Sequence, residues 1–383
     1  MKQLYSIQLT EVAYMNDLEK SRGEIDAIDR EMAALFEKRM AVCGDIAEYK
    51  KSHGLPIVDK TREADIIARH AEQISSPVQR EYYTQFLRSI MRVSCDYQAR
   101  LLNGMRVAYS GAEGAFGHIA AKKLFPQAAL TAFGDFAGAY HAVENGEFDC
   151  AVLPIENSYA GDIGIVMDLM FSGSLYVNQV IELDVTHNLL AKEGVPMERI
   201  KTVVSHPQAL EQCEEYIRAH GFETMEYSNT ALAAKFVREQ SDESIAAIAS
   251  EETAGIFGLH VLERGINTAR SNTTRFAVFS RAQNLPSRGT ATGREHFILV
   301  FTTKNEAGAL AQALNIIGAH DFNMRNLRSR PMKELLWSYY FFVEAEGNIS
   351  TRNGQDMLTE LSAVCARVKL VGTYDGQMGE TNK

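Results

Sequence analysis

The sequence predicts a multidomain chain: an all-α segment, then a two-lobed α/β segment, then a smaller α+β segment. Three observations carry this. Apolar residues recur at steps of three and four from about residue 17 to 103, the period of packed helices. From Met105 short apolar runs alternate with helical patterns, which is the order of an α/β fold with a largely parallel sheet. From His296 the order becomes strand, helix, strand, strand, helix, strand. Composition agrees: 383 residues, 46% hydrophobic and 23% charged, provide core material for two or three domains. A net charge of −10 argues against nucleic acid as the main partner. Five scattered cysteines with no CxxC fit reduced thiols in a cytoplasmic protein. The N-terminus lacks the apolar core of a signal peptide, and no stretch reaches membrane-spanning length.

In the helical segment, residues 1–16 read as an extension and the first helix as Asp17 to Ser52, stopped by Gly54 and Pro56. A second helix starts near Asp59 or Thr61. A third opens with "SPVQ", where Ser76 caps and Pro77 takes the first helical position. On the first helix Ile25, Ile28, Met32, Leu35, Val42, Ile46 and Tyr49 form a packing seam, and one step of that seam falls on Arg39. The stem of Arg39 would pack while its head reaches the surface, or else the interior is a binding site there. Lys50 follows eleven residues later, about 20° away around the helix and roughly 16 Å along it. Ser94 and Gln98 interrupt the apolar face of the third helix in the same way. A buried unpaired cation costs several kcal/mol, so such a pocket calls for an anion, and a small dicarboxylate fits. Arg22 lies roughly 25 Å from Arg39 along the same helix. If Arg22 belongs to the site, a second chain supplies it.

This segment resembles the all-helical chorismate mutases. The matching residues are Arg22, Arg39, Lys50, the D-x-x-R-E motif Asp59–Arg62–Glu63, and the polar pair Ser94 and Gln98. The resemblance implies a three-helix domain forming a dimeric bundle that rearranges chorismate to prephenate. Arg22, Arg39, Lys50, Arg62, Glu63 and Gln98 would be catalytic, with Asp59 and Ser94 as substrate ligands. The reaction is unimolecular and needs no nucleophile. Holding the folded substrate and stabilising charge on the breaking ether oxygen suffice.

In the α/β segment "MRVAYS", "FDCAVLPI", "KTVVS", "IAAIAS" and "TRFAVFS" read as strands. The turn "YSGAEGAFGHIAA" has glycines at GxxGxxG spacing, weak as a nucleotide site but suited to presenting helix N-terminal N–H groups to a carboxylate. "AVLPIENSYAGD" and "VVSHPQALEQC" also end strands with polar residues. Each has an ordinary reading as capping; together they suggest a cleft between lobes. With "SNTTRFAVFS" they resemble prephenate dehydratase over about 106–281, which implies a periplasmic-binding-protein-like pair of lobes. That resemblance makes Thr274 catalytic and Arg275 a ligand for a substrate carboxylate. It places Glu156, Asn157, Ser158, Ser205, His206 and Gln212 in the cleft. The first glycine turn departs from the family, with Ala112 and Gly117 where Pro and Ser are common.

Residues 282–294 read as a linker. The βαββαβ order from residue 295 to 378 is ferredoxin-like. It resembles an ACT domain, an amino-acid-sensing module. Gly308, Ala309 and Leu310 match the first loop and helix. Arg328, Ser329, Arg330 and Pro331 stand where the family has Glu-Ser-Arg-Pro. The resemblance implies an allosteric site for L-phenylalanine, with a reversed charge at Arg328.

The whole is similar to bifunctional chorismate mutase/prephenate dehydratases, with chorismate and prephenate as substrates and neither cofactor nor metal. No nucleic acid or membrane partner is expected; a homodimer or higher homo-oligomer is. Two other readings stay open: a monofunctional mutase with a degenerate dehydratase, and a non-catalytic amino-acid sensor.

Overall fold

The computed structural model describes residues 2–269, 271–284, 295–332 and 338–376, with side chains from residue 18 onward. The expected linker therefore lies largely outside the described residues. The chain divides into two compact units, Met1–Gly104 and Met105–Lys383.

The first unit is α1 (Lys2–Ser52), α2 (Lys60–Ala71) and α3 (Pro77–Asn103). Two expectations change here. First, α1 does not begin at Asp17, because residues 2–22 contain neither Gly nor Pro and the helix runs back through them. Second, the stripe Ile25, Ile28, Met32, Leu35, Val42, Ile46 and Tyr49 is exposed in the single chain. The face of α1 buried against α3 is instead Met40, Cys43 and Ala47. Arg39 lies on the flank of that face rather than in the middle of a buried seam. The helix starts behave as read: Asp59 caps α2 and Ser76 caps α3.

The second unit begins with β1 (Arg106–Ser110), α4 (Phe116–Leu124), β2 (Ala129–Phe133), α5 (Phe136–Glu144), β3 (Cys150–Asn157), β4 (Gly161–Asp162), α6 (Gly164–Ser172) and β5 (Tyr176–Asp184). The chain then crosses to a second lobe. That lobe comprises β6 (Asn188–Ala191), β7 (Thr202–Ser205), α7 (Pro207–Gln212), α8 (Glu214–His220), β8 (Glu223–Glu226), α9 (Thr230–Glu239), β9 (Ile245–Ala249), α10 (Glu251–Phe257) and β10 (His260–Glu263). It returns as β11 (Thr273–Ser280). The first-lobe strands are ordered β5-β11-β3-β1-β2 and the second-lobe strands β10-β6-β9-β7-β8. Both sheets are mixed, not largely parallel. β11 runs antiparallel to β3 and β5, and β6 antiparallel to β9 and β10, because strands that carry the chain between lobes travel against their neighbours. The two crossovers are laced together. Val185 N donates to Asn272 O (2.7 Å) and Ile266 N to His187 O (2.9 Å). Asn267 accepts from His187 N (2.7 Å) and donates to Val185 O (3.0 Å).

The last part is β12 (Glu295–Thr302), α11 (Ala309–Ala319), β13 (Asn323–Pro331), β14 (Tyr339–Glu346), α12 (Arg352–Val364) and β15 (Arg367–Asp375). Its strand order β13-β14-β12-β15 is the ferredoxin-like arrangement. Alternation along β12 gives each face a different core. Phe297, Leu299 and Phe301 pack under α11 and α12, while Ile298 and Val300 join Leu153, Met170 and Phe279 of the first lobe. The sheet also continues into that lobe, where Gly372 pairs with Val177. A Cβ at Gly372 would fall 1.9 Å from Val177 O, so only glycine allows the junction.

Candidate functional site

Two groups of predicted residues converge, one in each unit. In the first unit α1 presents Arg39 to α3, where its guanidinium donates to Ser94 Oγ and, at 3.4 Å, to Ile90 O. Ser94 and Gln98 are buried one turn apart, and Gln98 Oε1 has no protein partner. Lys50 donates to Ile57 O in the loop before α2. Glu63 lies 3.8 Å from Cys95 Sγ, and the Cys95 thiol is pushed up by burial and then by the Glu63 charge, with Lys50 opposing. Beside these groups a cleft of about 480 Å³ is lined by Lys60, Glu63, Arg88, Met91, Arg92 and Cys95. A bonded guanidinium, a lysine amine, a carboxylate and an unpaired amide oxygen thus come from all three helices. Arg22 is exposed on the far stretch of α1 and does not join them within one chain. Arg62 is exposed, and the Asp59 carboxylate is engaged as a helix cap on Arg62 N (3.0 Å).

In the second unit the C-terminal end of β3 and the start of β11 bring Asn157 opposite Thr274. Asn157 Nδ2 donates to Thr274 Oγ1 (2.9 Å) and to Asn272 Oδ1 (2.8 Å). Asn272 Nδ2 donates to Gln212 Oε1 (2.9 Å), which also meets His187 Nε2 (2.8 Å). Strand ends of the first lobe, a helix of the second and both crossovers therefore meet at one buried amide chain. His187 is 2% exposed and burial lowers its pKa, opposed by its Gln212 hydrogen bond. The glycine turn closes the same junction from above, where Thr253 Oγ1 donates to Gly114 O (2.8 Å). No side chain caps α4 at that turn. Gly117 has no room for a Cβ, which would stand 2.6 Å from Ser110 O.

Several expected cleft residues sit elsewhere. Side chains alternate along β11, so Arg275 points away from Thr274. Its guanidinium bonds Glu344 (2.8 and 2.6 Å), Tyr374 (2.9 Å) and Glu156 (3.1 Å). Arg275 and Glu156 are thus not cleft ligands; they dock the ferredoxin-like part on the sheet. Burial would raise the Glu344 carboxyl, but the hydrogen bonds and charge of Arg275 hold it below its ordinary range. Ser205 is fully buried with its hydroxyl on Ile248 O (2.6 Å), so it ties the second sheet together. His206 caps α7 by accepting from Gln208 N (3.2 Å). Ser158 exchanges hydrogen bonds with Thr273 beside the cleft (2.8 and 2.9 Å). On β13, Arg328 bonds Glu156 (2.7 Å) and Asp162 (2.8 Å), and Arg330 bonds Asp168 (3.0 Å). These two arginines serve docking, which replaces the expectation that they line an effector pocket. Ser329 and Pro331 face the other way and are exposed. Gly308 holds a left-handed turn (φ 85°) that starts α11, with Ala309 and Leu310 as its first residues. Sequence reasoning missed Asn272, His187, Glu344 and Tyr374. Asn272 stands inside the "SNTTRF" string, and His187 is a polar interruption in "VTHNLLA".

The fold and the two sites define a bifunctional enzyme for small molecules, with separate helical and two-lobed catalytic parts. Residues 21–99 match the family model for chorismate mutase type II, and residues 107–284 that for prephenate dehydratase. Bifunctional chorismate mutase/prephenate dehydratases of Buchnera aphidicola subsp. Schizaphis graminum and of Neisseria gonorrhoeae are 30% and 32% identical. The alignments cover 94% and 92% of this chain and 97% and 95% of those proteins. Among solved structures, a prephenate dehydratase from Arthrobacter aurescens in complex with L-Phe is 27% identical with a TM-score of 0.65. It covers 71% of this chain and 90% of its own. GqqA, described as a quorum-quenching acylase, is 28% identical with a TM-score of 0.66, covering 71% and 98%. One fold thus carries two described activities, so the assignment rests on the full-length relatives rather than on the fold. The chain belongs to the bifunctional chorismate mutase/prephenate dehydratase family. It rearranges chorismate to prephenate and converts prephenate to phenylpyruvate in phenylalanine biosynthesis.

Proposed function

We propose that Thr274 is the proton-relaying group of the dehydratase and that Asn157 prepares it. The observation that carries this is the direction of their hydrogen bond. Thr274 Oγ1 accepts from Asn157, so its own O–H hydrogen is directed elsewhere and available to the departing ring hydroxyl. Prephenate loses that hydroxyl and a carboxylate together. The C–O bond breaks as the ring–carboxylate bond breaks, its electron pair completes the aromatic ring, and water and CO₂ leave. A threonine is too weak an acid to give up its proton outright, so it donates a hydrogen bond and passes on a proton from solvent. The uncapped first turn of α4 supplies backbone N–H groups suited to a substrate carboxylate.

In the helical unit Arg39 and Arg62 hold substrate carboxylates, Lys50 and Gln98 meet the ether oxygen, and Glu63 takes the ring hydroxyl. Asp59 orders the start of α2, and Ser94 holds Arg39. A 10⁶-fold acceleration needs about 8 kcal/mol, within reach of positioning and electrostatics. Arg22 acts in the site of a second copy. The exposed apolar stripe from Ile25 to Tyr49 supports that pairing, since an amphipathic face of this length requires cover. The C-terminal part is an ACT domain that senses phenylalanine, supported by its ferredoxin-like order and by the L-Phe complex of the A. aurescens relative. Among the described residues no cysteine forms a disulfide, which supports work in the cytoplasm. Thr274→Ala in the full chain tests the main reading. Prephenate should accumulate while chorismate is still consumed, and undiminished phenylpyruvate formation would reject it.

A further inference from the structure

The buried amide chain at the lobe junction has a polarity that follows from donors of fixed identity. The backbone N–H groups of Tyr159 and Ala160 both point at Asn157 Oδ1, at 3.0 and 2.8 Å. That atom is therefore the oxygen, and the other end of the amide is the NH₂. It donates to Thr274 and to Asn272 Oδ1, so Asn272 turns its own NH₂ toward Gln212 Oε1. The Gln212 oxygen accepts there, and its second neighbour, His187 Nε2, has to carry a proton. Neutral His187 is thus the Nε2–H tautomer, and its bare Nδ1 is buried with no protein partner.

Gln212 Oε1 is held in this sense by two side-chain donors, Asn272 Nδ2 and His187 Nε2. Without the donor at His187 only Asn272 opposes a flip of that amide, and a flip would set NH₂ against NH₂ at Asn272. Asn272 could relieve that only by turning its NH₂ on Asn157, which the two backbone donors keep from rotating. The strain then falls on the Asn157–Thr274 bond. The imidazole itself has little freedom. It sits edge-on to Phe116 with centroids 5.8 Å apart, and its backbone is pinned by Ile266 and Asn267 at the crossover.

We propose that His187 is a positioning residue of the dehydratase, whose Nε2–H terminates the amide chain and fixes the orientation of the Thr274 hydroxyl. The inference rests on the reading of Thr274 as the relaying group. In the full chain, His187→Phe should lower kcat for prephenate about 10- to 100-fold, leave KM within about threefold, and leave chorismate turnover unchanged. His187→Gln, whose side-chain amide reaches the position of Nε2, should recover most of the rate. Nitrogen-15 histidine labelling of the wild-type chain should show His187 as the Nε2–H tautomer, its signal assigned by loss in His187→Gln. Wild-type kcat in a folded His187→Phe, absence of rescue by Gln, or an Nδ1–H tautomer would each overturn the proposal. The tautomer is read without any substitution at risk of misfolding. Thr274→Val separates the layers: dehydration intact in that variant removes the reading of Thr274. Dehydration lost there but intact in His187→Phe removes only the role of His187.

Discussion

Thr274 and Arg275 are consecutive on β11 and face opposite sides of one sheet. The hydroxyl meets Asn157 at the lobe junction, and the guanidinium meets Glu344 of the ferredoxin-like part. They also lie beside a bulge, where the β3–β11 register shifts between Arg275 and Phe276. A ladder interrupted there holds its last pairs less firmly, and the Arg275 ion pairs hold them from behind.

Removing Glu344 should therefore be costly. Arg275 is mostly buried, and Glu344 is 3% exposed. Glu344→Ala strips a charged partner from it and should destabilise the second unit by about 3 kcal/mol. Urea denaturation followed by a probe in that unit measures the loss. Chorismate mutase activity in the same chain should be unaffected and serves as the internal control.

The Arg328 contact gives a second expectation. Arg328 lies between the carboxylates of Glu156 and Asp162, and its side chain is 35% exposed. Arg328→Ala should weaken docking by about 1–3 kcal/mol. Arg328→Glu should weaken it further, since it sets three carboxylates together. Limited proteolysis of the C-terminal part ranks the three proteins, and equal protection of wild type and Arg328→Glu would rule the docking role out.

Arg39→Leu should abolish mutase activity while the helical unit keeps or gains stability. The guanidinium is half-buried against Ser94 without an acidic partner among its hydrogen bonds, so the helix loses little by its removal. Thermal unfolding together with chorismate turnover checks both halves. Unfolding of the unit would return Arg39 to a purely structural role.

Acid should loosen the second unit from just below neutrality. Burial lowers the pKa of His118, His187 and His296 from an ordinary value of 6.5. The unfolded chain then binds protons that the folded chain refuses. The stabilisation is complete above about pH 6.5 and declines as pH falls toward the folded values, by at most about 1.4 kcal/mol per pH unit for each histidine. Urea titrations between pH 7 and 5 should show this slope. His187→Gln should make it shallower by one histidine's share, and an unchanged slope would show that His187 does not titrate in this range.

The element order was legible because it is written in local periodicities: three long helices, apolar runs feeding helices, and βαββαβ after His296. What the pattern did not carry was orientation. Thr274 and Arg275 read as one motif, but a strand separates neighbours onto opposite faces, and a motif string carries no record of which face meets which partner. Ser205 and His206 had the polar character of a strand end and proved to be a sheet tie and a helix cap. Ser94 and Gln98 were legible as polar residues on a helical packing face, and both are buried there. The stripe from Ile25 to Tyr49 was legible as an apolar packing seam, and the single chain leaves it exposed. Hydrophobic spacing specifies that a face is to be covered, not by which chain. Glu344 and Tyr374 lay beyond reach, since they meet Arg275 across 69 and 99 residues of sequence.

The single pairing of Gly372 with Val177, and the apolar layer beside it, bear on how such a chain is put together. Met1–Gly104 is a compact unit with buried residues of its own, so a break at Gly104 leaves both units' interiors intact. Among the described residues the second unit shows no such division before β12. Ile298, Val300, Phe342 and Val371 complete the same interior as Leu153, Met170 and Phe279. Recombination can trade the helical body as a module. The ferredoxin-like part shares its interior with the lobe it closes, so a cut between them would open both.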